Sequence, residues 1–258
     1  PVAPEVAGAM LSYLTERFGN PSSIHAFGQE SKAALDEARE TLARHVGAQP
    51  SEIIFTSGGT ESNNLALKGI AMANQHRGRH LITTAIEHHA VLEPCHALEK
   101  QGFSITYLPV DRDGMVDPQQ VQQAITDDTI LISVMHANNE TGTIQPIAEI
   151  GKIARNAGIL FHTDAAQSAG KISVETSALS VDFVSVAGHK MYAPKGIGAL
   201  FMRDGLKPEP FMHGAGQESG RRAGTESPTR STMRRLSTTC ARASSHCSRP
   251  IPCWQASA

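Results

Sequence analysis

The chain has 258 residues, of which 40% are hydrophobic and 19% are charged, and its formal net charge is -2. Such a chain can bury a sizeable core and is expected to be soluble, with one large domain or one and a half. It has no long run of Lys or Arg for nucleic acid or an anionic membrane, and no stretch near the roughly 18 apolar residues of a membrane span. We therefore expect a cytoplasmic protein that acts on a small molecule.

The first 226 residues alternate helical and strand-like patterns. Residues 29–46 carry apolar side chains at helical spacing, residues 52–56 are typical of a short apolar strand, and residues 60–74 again favour a helix. Further strand-like runs occur at residues 80–84, 103–110, 129–135, 159–163 and 181–186. Helical patterns separate most of these runs. The alternation predicts an α/β fold, with a mainly parallel sheet between helices on both faces.

The composition changes abruptly at Glu226. Residues 227–258 are dominated by Ser, Thr, Arg, Cys and Pro, with scarcely any apolar periodicity. We predict one domain over residues 1–226 and a disordered or frame-shifted tail over residues 227–258. Cys95 stands alone in the body and Cys240, Cys247 and Cys253 lie in the tail, so we expect no disulfide framework and a reducing compartment. The spacing of Cys and His in the tail fits no regular zinc pattern, and no metal site is predicted.

A glycine pair stands between a predicted strand and a predicted helix in the string TSGGTESNN, residues 56–64. Such a turn would present backbone N–H groups and a positive helix end to an anion, and a phosphate would fit. A simple helix cap explains the string equally well. It is not a Walker loop, because no Gly-Lys-Ser/Thr follows.

Histidines and an aspartate follow other predicted strands. His88 and His89 are adjacent in IEHHAVL, and either alone is more typical of a surface or capping residue. Asp164 ends a strand in FHTDAAQ, where a carboxylate could reach a ligand lying over the sheet edge. A buried aspartate is costly unless it is paired with a cation or with hydrogen-bond donors. Helix N-capping by Asp164 is an equally good interpretation of that motif alone.

Lys190 lies between an apolar strand and a proline-glycine turn in VAGHKMYAPKGIGAL. Most lysines are exposed and unremarkable, but these neighbours predict partial desolvation. Desolvation lowers a lysine pKa and makes the amine nucleophilic, as attack on an aldehyde requires. Pyridoxal 5'-phosphate (PLP) needs a lysine for its aldehyde, a carboxylate for its pyridinium nitrogen and donors for its phosphate. The motifs above supply all three.

Seven strings of the sequence carry a resemblance to a known family: FGNPSSIH, TSGGTESNN, IEHHAVL, HANNETG, HTDAAQS, GHKMYAPKGIGAL and GRRAGTE. Together they resemble the NifS/IscS group of cysteine desulfurases, in the same order and at the spacing of that family over residues 1–226. These enzymes are class V aminotransferase relatives with the large-domain fold of PLP-dependent transferases. The resemblance implies removal of sulfur from L-cysteine to give L-alanine and an enzyme persulfide that feeds iron-sulfur cluster assembly. It also implies a homodimer and a sulfur acceptor such as an iron-sulfur scaffold protein.

The resemblance assigns catalytic roles to two residues. Lys190 would form the Schiff base with PLP and then act as acid and base at the substrate Cα, and His88 would stack on the cofactor ring. Asp164 would keep the pyridine nitrogen protonated, so that the ring accepts the electron pair released at Cα.

The remaining implied contacts are to other atoms of the cofactor and the substrate. Gln167 would hydrogen-bond the ring oxygen, and Asn139 would help to place that oxygen and the substrate carboxylate. The phosphate would be held by Gly59, Thr60 and His189, and by Thr225 from the other subunit.

Three departures from the family pattern limit these expectations. The usual first strand is not present before Pro1, and Ala187 replaces a serine that usually contacts the phosphate. The small C-terminal domain, with its persulfide-forming cysteine and carboxylate-clamping arginine, is expected to be missing, and no tail cysteine has the family's loop sequence. One interpretation that stays open is therefore that this chain is inactive as a desulfurase. Two alternatives also stay open: another PLP aminotransferase or lyase of this fold, or a non-catalytic PLP-binding remnant.

Overall fold

The computed structural model describes residues 1–228. The predicted tail therefore lies, apart from its first two residues, outside the described residues, and so do Cys240, Cys247 and Cys253. The α-helices are α1 (Pro4–Thr15), α2 (Ala26–Val46), α3 (Gly59–Asn64), α4 (Ile70–Asn74), α5 (His89–Glu99), α6 (Pro118–Ala124), α7 (Ile147–Asn156) and α8 (Thr176–Leu179). The strands are β1 (Ile53–Thr56), β2 (His80–Thr84), β3 (Ser104–Leu108), β4 (Thr129–Ser133), β5 (Leu160–Asp164), β6 (Phe183–Ala187), β7 (Gly198–Met202), β8 (Gly216–Gln217) and β9 (Arg222–Ala223).

Seven of these strands form one sheet in the order β1-β7-β6-β5-β4-β2-β3. Neighbours from β6 to β3 are parallel, whereas β7 is antiparallel to both β6 and β1. Only β7 is therefore reversed within this sheet. β8 and β9 form a separate two-stranded hairpin. The predicted α/β fold with a mainly parallel sheet is confirmed.

Each face of the sheet is covered by its own apolar cluster, as the alternation of side chains along a strand requires. On one face, Leu35 of α2 and Ile150 of α7 belong to the cluster that includes Phe161 of β5. On the other face, Val91 of α5 packs in the cluster that includes Phe183 of β6. Phe161 and Phe183 are fully buried, and burial of such a side chain contributes about 1.5–3 kcal/mol.

The predicted helix over residues 60–74 is a helical run with a π-helical turn in its middle. α3 passes into the π turn Leu65–Gly69, which passes into α4. The helix α1, the strand β7 and the short elements α8, β8 and β9 were not predicted. All five residues of β7 are buried, so the strand has no polar and apolar alternation to reveal it.

Local signals place the ends of several helices. The α2 helix begins after His25, whose ring nitrogen accepts from the Gly28 amide at 3.2 Å, and it ends at Gly47 with φ +68°. The Asp117 side chain caps α6 by accepting from the Gln119 amide at 2.8 Å. Within residues 1–228, no helix is long and apolar enough to cross a membrane.

Candidate active site at the carboxyl ends of the strands

All six strands of the sheet other than β7 end at the same edge. Because β1 and β6 are both antiparallel to β7, β1 runs in the same direction as β6, β5, β4 and β2. The last residues of these strands and the segments that follow them carry all of the predicted site residues except Thr225. Ligands bind at this edge in open α/β sheets.

The turn between β1 and α3 is packed tightly against β7. The Thr56 hydroxyl donates to the Gly58 carbonyl at 3.1 Å and contacts the Ser62 hydroxyl at 2.8 Å. A Cβ at Gly198 would lie 2.6 Å from the Gly58 backbone, so the close approach requires glycine there. A Cβ at Gly59 would lie 3.3 Å from the Ala187 Cβ, which brings the start of α3 beside the end of β6.

A buried ion pair ties α3 to the β8–β9 hairpin. Arg222 Nε lies 2.6 Å from Glu61 Oε1, and the Ser57 amide donates to Glu61 Oε2 at 2.8 Å. Burial tends to raise the pKa of Glu61, but the hydrogen bonds from Arg222 and Ser57 outweigh it and lower that pKa. This pair brings the segment that carries Thr225 close to the first turn of α3. Thr225 itself is exposed.

His88 stands at the start of α5, where its Nδ1 accepts from the Ala90 amide at 3.0 Å. It shares a cavity of about 390 Å³ with Thr60, Asn64 and Glu93. The predicted phosphate turn and the predicted ring-stacking histidine therefore face the same space. His89 also lines this cavity, and its side chain is 84% exposed.

Asp164 is the last residue of β5 and is buried. Its Oδ2 accepts from Asn63 Nδ2 at 2.7 Å, and its Oδ1 accepts from the Ala166 amide at 2.8 Å. Burial raises the pKa of Asp164, and these two hydrogen bonds and the charge of His88 offset part of that rise. Asp164 does not cap a helix, since a turn follows it.

A neutral histidine lies beneath Asp164 on the same face of the sheet. His162 Nδ1 lies 2.8 Å from the Ser133 hydroxyl, and its Nε2 lies 2.9 Å from the Ser185 hydroxyl. Burial lowers the pKa of His162 to about 3. Side chains of β4, β5 and β6 are thus linked directly below the carboxylate, which stabilises its position.

Lys190 ends a short 3₁₀ turn, Gly188–Lys190, that follows β6. The predicted desolvation of Lys190 is wrong: its side chain is exposed, because the turn carries it beyond the sheet edge. His189 is exposed as well. Partial desolvation and the charges of Lys190 and Lys195 lower the pKa of His189. A neutral His189 can donate one hydrogen bond to an anion without carrying a charge of its own.

The structure gives Asn139 and Gln167 local partners. Asn139 is half-buried and donates to Glu140 Oε1 at 2.6 Å. Gln167 is half-buried and accepts from Lys171 Nζ at 3.4 Å. The structure therefore brings Gly59, Thr60, His88, Asp164, His189 and Lys190 to one edge, while Asn139 and Gln167 contact side chains of their own loops.

Sequence reasoning missed Asn63 and Glu87 as members of the site. Asn63 follows Thr60 by three residues, so helical spacing could have placed it on the same face of α3. Glu87 directly precedes His88, and its burial left no signal in the sequence. Within residues 1–228 there is no group of three or more His, Cys, Asp or Glu side chains that could hold a metal ion.

The family model described as aminotransferase class-V matches residues 1–233. The chain belongs to the class-V aminotransferase family. It is 59% identical to the cysteine desulfurase IscS of Dictyoglomus turgidum over 226 residues, and 57% identical to that of Methanosarcina thermophila over 226 residues. These alignments cover 88% of this chain but 57% and 56% of the two relatives, so the chain spans little more than half of their length.

Solved structures agree with the sequence matches. A NifS-like protein superposes with a TM-score of 0.91 at 40% identity, covering 95% of this chain and 68% of that one. A structure described as SspA in complex with cysteine superposes with a TM-score of 0.89 at 44% identity, covering 93% of this chain and 70% of that one. The resemblance to cysteine desulfurases and the PLP-dependent transferase fold predicted from the sequence are confirmed.

Proposed function

We propose that this chain binds PLP at the carboxyl edge of its sheet and forms the PLP-binding part of a cysteine desulfurase. The observation that carries the proposal is Asp164. Its carboxylate is buried and its two oxygens have one N–H donor each, so lone pairs remain for a cation. A protonated pyridine nitrogen supplies both a positive charge and a donor, which relieves the cost of the buried carboxylate. The residues present therefore fit this cofactor.

When bound, PLP supplies an electron sink for the bond that is broken at the substrate. Asp164 would hold the proton on the pyridine nitrogen, and Asn63 and the Ala166 amide keep that carboxylate in position. The exposed amine of Lys190 would hold the cofactor covalently and would then move the proton at the substrate Cα. His88 would pack on the ring, and its capping bond limits its rotation.

The phosphate end is held by the tight turn before α3. Gly59 and Thr60 offer backbone N–H groups at the start of a helical run, and neutral His189 offers a ring N–H. Ala187, beside Gly59, has no hydroxyl to add to this set. Gln167 and Asn139, which now contact Lys171 and Glu140, would bind the ring oxygen and the substrate carboxylate.

The proposed overall reaction takes L-cysteine and a thiol to L-alanine and a persulfide, from which an iron-sulfur scaffold protein or another acceptor takes the sulfur. The sulfur leaves the cysteine Cβ and forms a bond to the accepting thiolate. Cys95 does not serve as that thiolate, because burial raises its pKa to about 12. The accepting thiol lies outside the described residues of this chain. We propose that the reaction takes place in the cytoplasm, where thiols are kept reduced.

Borohydride reduction of the PLP-loaded 258-residue chain tests the assignment of the lysine. We expect the pyridoxyl group on Lys190, as peptide mapping by mass spectrometry would show, and no covalent label in a Lys190→Ala variant. Lys195→Ala is the matched control, because Lys195 is an exposed lysine of the same loop. Label on Lys195, or label that survives in Lys190→Ala, would contradict the proposal.

We also propose that the chain acts as a homodimer in which Thr225 reaches the phosphate in the other subunit. Large apolar side chains are exposed along α1 and the segment leading into α2, as a subunit interface would require: Leu11, Leu14, Phe18, Ile24 and Phe27. Light scattering should give twice the mass of one chain. Leu11→Glu combined with Leu14→Glu should reduce that mass to one chain, whereas Met115→Glu, at an exposed site elsewhere, should not. A monomeric parent chain at micromolar concentration would refute the dimer.

A further inference from the structure

Glu87 is a buried carboxyl group that the proposed chemistry does not use. It lies between β2 and α5, and 5% of the residue is exposed. Its Oε1 accepts from the Met135 amide at 2.8 Å and from the Thr84 hydroxyl at 2.9 Å. Its Oε2 is buried and has no hydrogen-bond partner within residues 1–228.

The buried Oε2 without a donor favours the protonated acid, because a charged oxygen in that place costs more than a neutral hydroxyl. In a neutral carboxyl group one oxygen accepts hydrogen bonds and the other carries the proton. Oε1, with two donors, has the accepting role, and Oε2 is left to carry the proton. Burial raises the pKa of Glu87 to about 8. The hydrogen bonds from the Met135 amide and the Thr84 hydroxyl oppose this rise, and the charge of Asp164 adds to it.

Asp164 is the better of the two neighbouring groups at holding a negative charge. It accepts two N–H groups, from Asn63 and Ala166, and the charge of His88 acts on it favourably. Two buried carboxylates that repel each other do not both ionise readily. The Cys95 thiol of α5 also interacts with Glu87, and it is itself kept protonated.

Glu87 also joins two loops of the site. Through Met135 it is bonded to the segment after β4, which leads to Asn139, and its next residue is His88. The Asn138 side chain adds a second link, because it donates to the Ile86 carbonyl at 3.1 Å. Movement of the Glu87 carboxyl would therefore move the histidine that packs on the ring.

We propose that Glu87 is a positioning residue that keeps its proton, ties the His88 loop to the loop after β4, and leaves the negative charge of the Glu87–Asp164 pair on Asp164. The inference rests on the proposed function in so far as His88 and Asp164 contact the cofactor. The protonation of Glu87 itself is a property of the folded chain and can be measured without PLP.

The first test compares the free energy of unfolding of the parent chain and a Glu87→Gln variant, without cofactor, from pH 5 to pH 9. The folded chain holds a proton on Glu87 that the unfolded chain, with a pKa near 4.5, has released. Rising pH therefore removes the stability that protonated Glu87 contributes between about pH 4.5 and about pH 8, and this group has no further effect above that range. The amide variant cannot ionise, so its stability relative to the parent should increase through this window.

Glu149→Gln is the matched control, because Glu149 is an exposed carboxyl group on α7 and its replacement is the same chemical change at a site without burial. We expect this control to follow the pH dependence of the parent chain. Identical pH dependence for Glu87→Gln and the parent would overturn the inference.

The second test measures PLP affinity by equilibrium titration at pH 7. Glu87→Gln keeps an acceptor for Met135 and Thr84, and should bind PLP within about threefold of the parent. Glu87→Ala leaves both donors without a partner and should bind about tenfold more weakly. Equal PLP affinities for Glu87→Ala and Glu87→Gln would contradict the positioning role. If the parent chain binds no PLP, the proposed function fails, and the pH test still decides the protonation of Glu87.

Discussion

Replacing Arg39 with methionine should lower the free energy of unfolding by about 3–5 kcal/mol, the largest effect expected for a single side chain away from the site. The Arg39 guanidinium donates to both oxygens of Glu218, at 2.6 and 3.1 Å, and to the Ile53 carbonyl at 2.6 Å. It also stacks over the Phe55 ring at 4.9 Å. The Glu218 side chain is 0% exposed, so removal of the arginine leaves a buried carboxylate without its cation.

Urea denaturation at neutral pH measures the loss. Arg44→Met is the matched control on the same helix, since Arg44 is 70% exposed and pairs with Glu40 at 3.9 Å. This surface pair should contribute less than about 0.5 kcal/mol. Glu218→Gln in the Arg39→Met background removes the unpaired charge and should recover part of the stability. Equal losses for the two arginine variants would refute the importance assigned to the buried pair.

Replacing Gly198 with alanine should displace the turn before α3 and weaken binding of the phosphate. The added Cβ would lie 2.6 Å from the Gly58 backbone and 2.7 Å from the Val186 carbonyl oxygen. Both neighbours are main-chain atoms held in or beside the sheet, so neither can rotate away. We expect a loss of about 1–3 kcal/mol in the free energy of unfolding and about tenfold in PLP affinity.

Comparison of two ligands separates a local effect from general destabilisation. PLP carries the phosphate and pyridoxal does not, so Gly198→Ala should weaken binding of PLP more than binding of pyridoxal. The matched control is Gly8→Ala on α1, where an added Cβ has nothing within 4 Å. It should stabilise the chain by about 0.5–1 kcal/mol through helix propensity. An equal loss of affinity for PLP and for pyridoxal in Gly198→Ala would argue against phosphate binding at this turn.

Local patterns were enough to predict most of the sheet and its covering helices. The strand predicted at residues 80–84 matches β2, and the helix predicted at residues 29–46 matches α2 apart from its first turn. Asp117 caps its helix as short-range chemistry requires. The strand ending at Asp164 was also placed within one residue, so the carboxylate was predicted at the correct edge.

Some of the features that were not predicted depend on distant parts of the chain. The short apolar run of β7 follows a glycine-rich turn, and its identity as a strand depends on pairing with β1 and β6. The burial of Glu87 depends in part on Met135, which lies 48 residues away. No short window of sequence contains these partners together. The exposure of Lys190 is a local feature, set by the 3₁₀ turn after β6, and the apolar residues around it gave no sign of that turn.

The reversed strand β7 also sets the order in which the site can form during synthesis. Thr56 pairs with Gly198, about 140 residues later in the chain. At about 5–20 residues per second, a ribosome adds that length in roughly 7–30 s. Until then the Gly58 turn has no backbone to pack against, although its own residues were made early. The proposed cofactor pocket therefore forms late in translation, and bound PLP would stabilise the chain only after β7 has emerged.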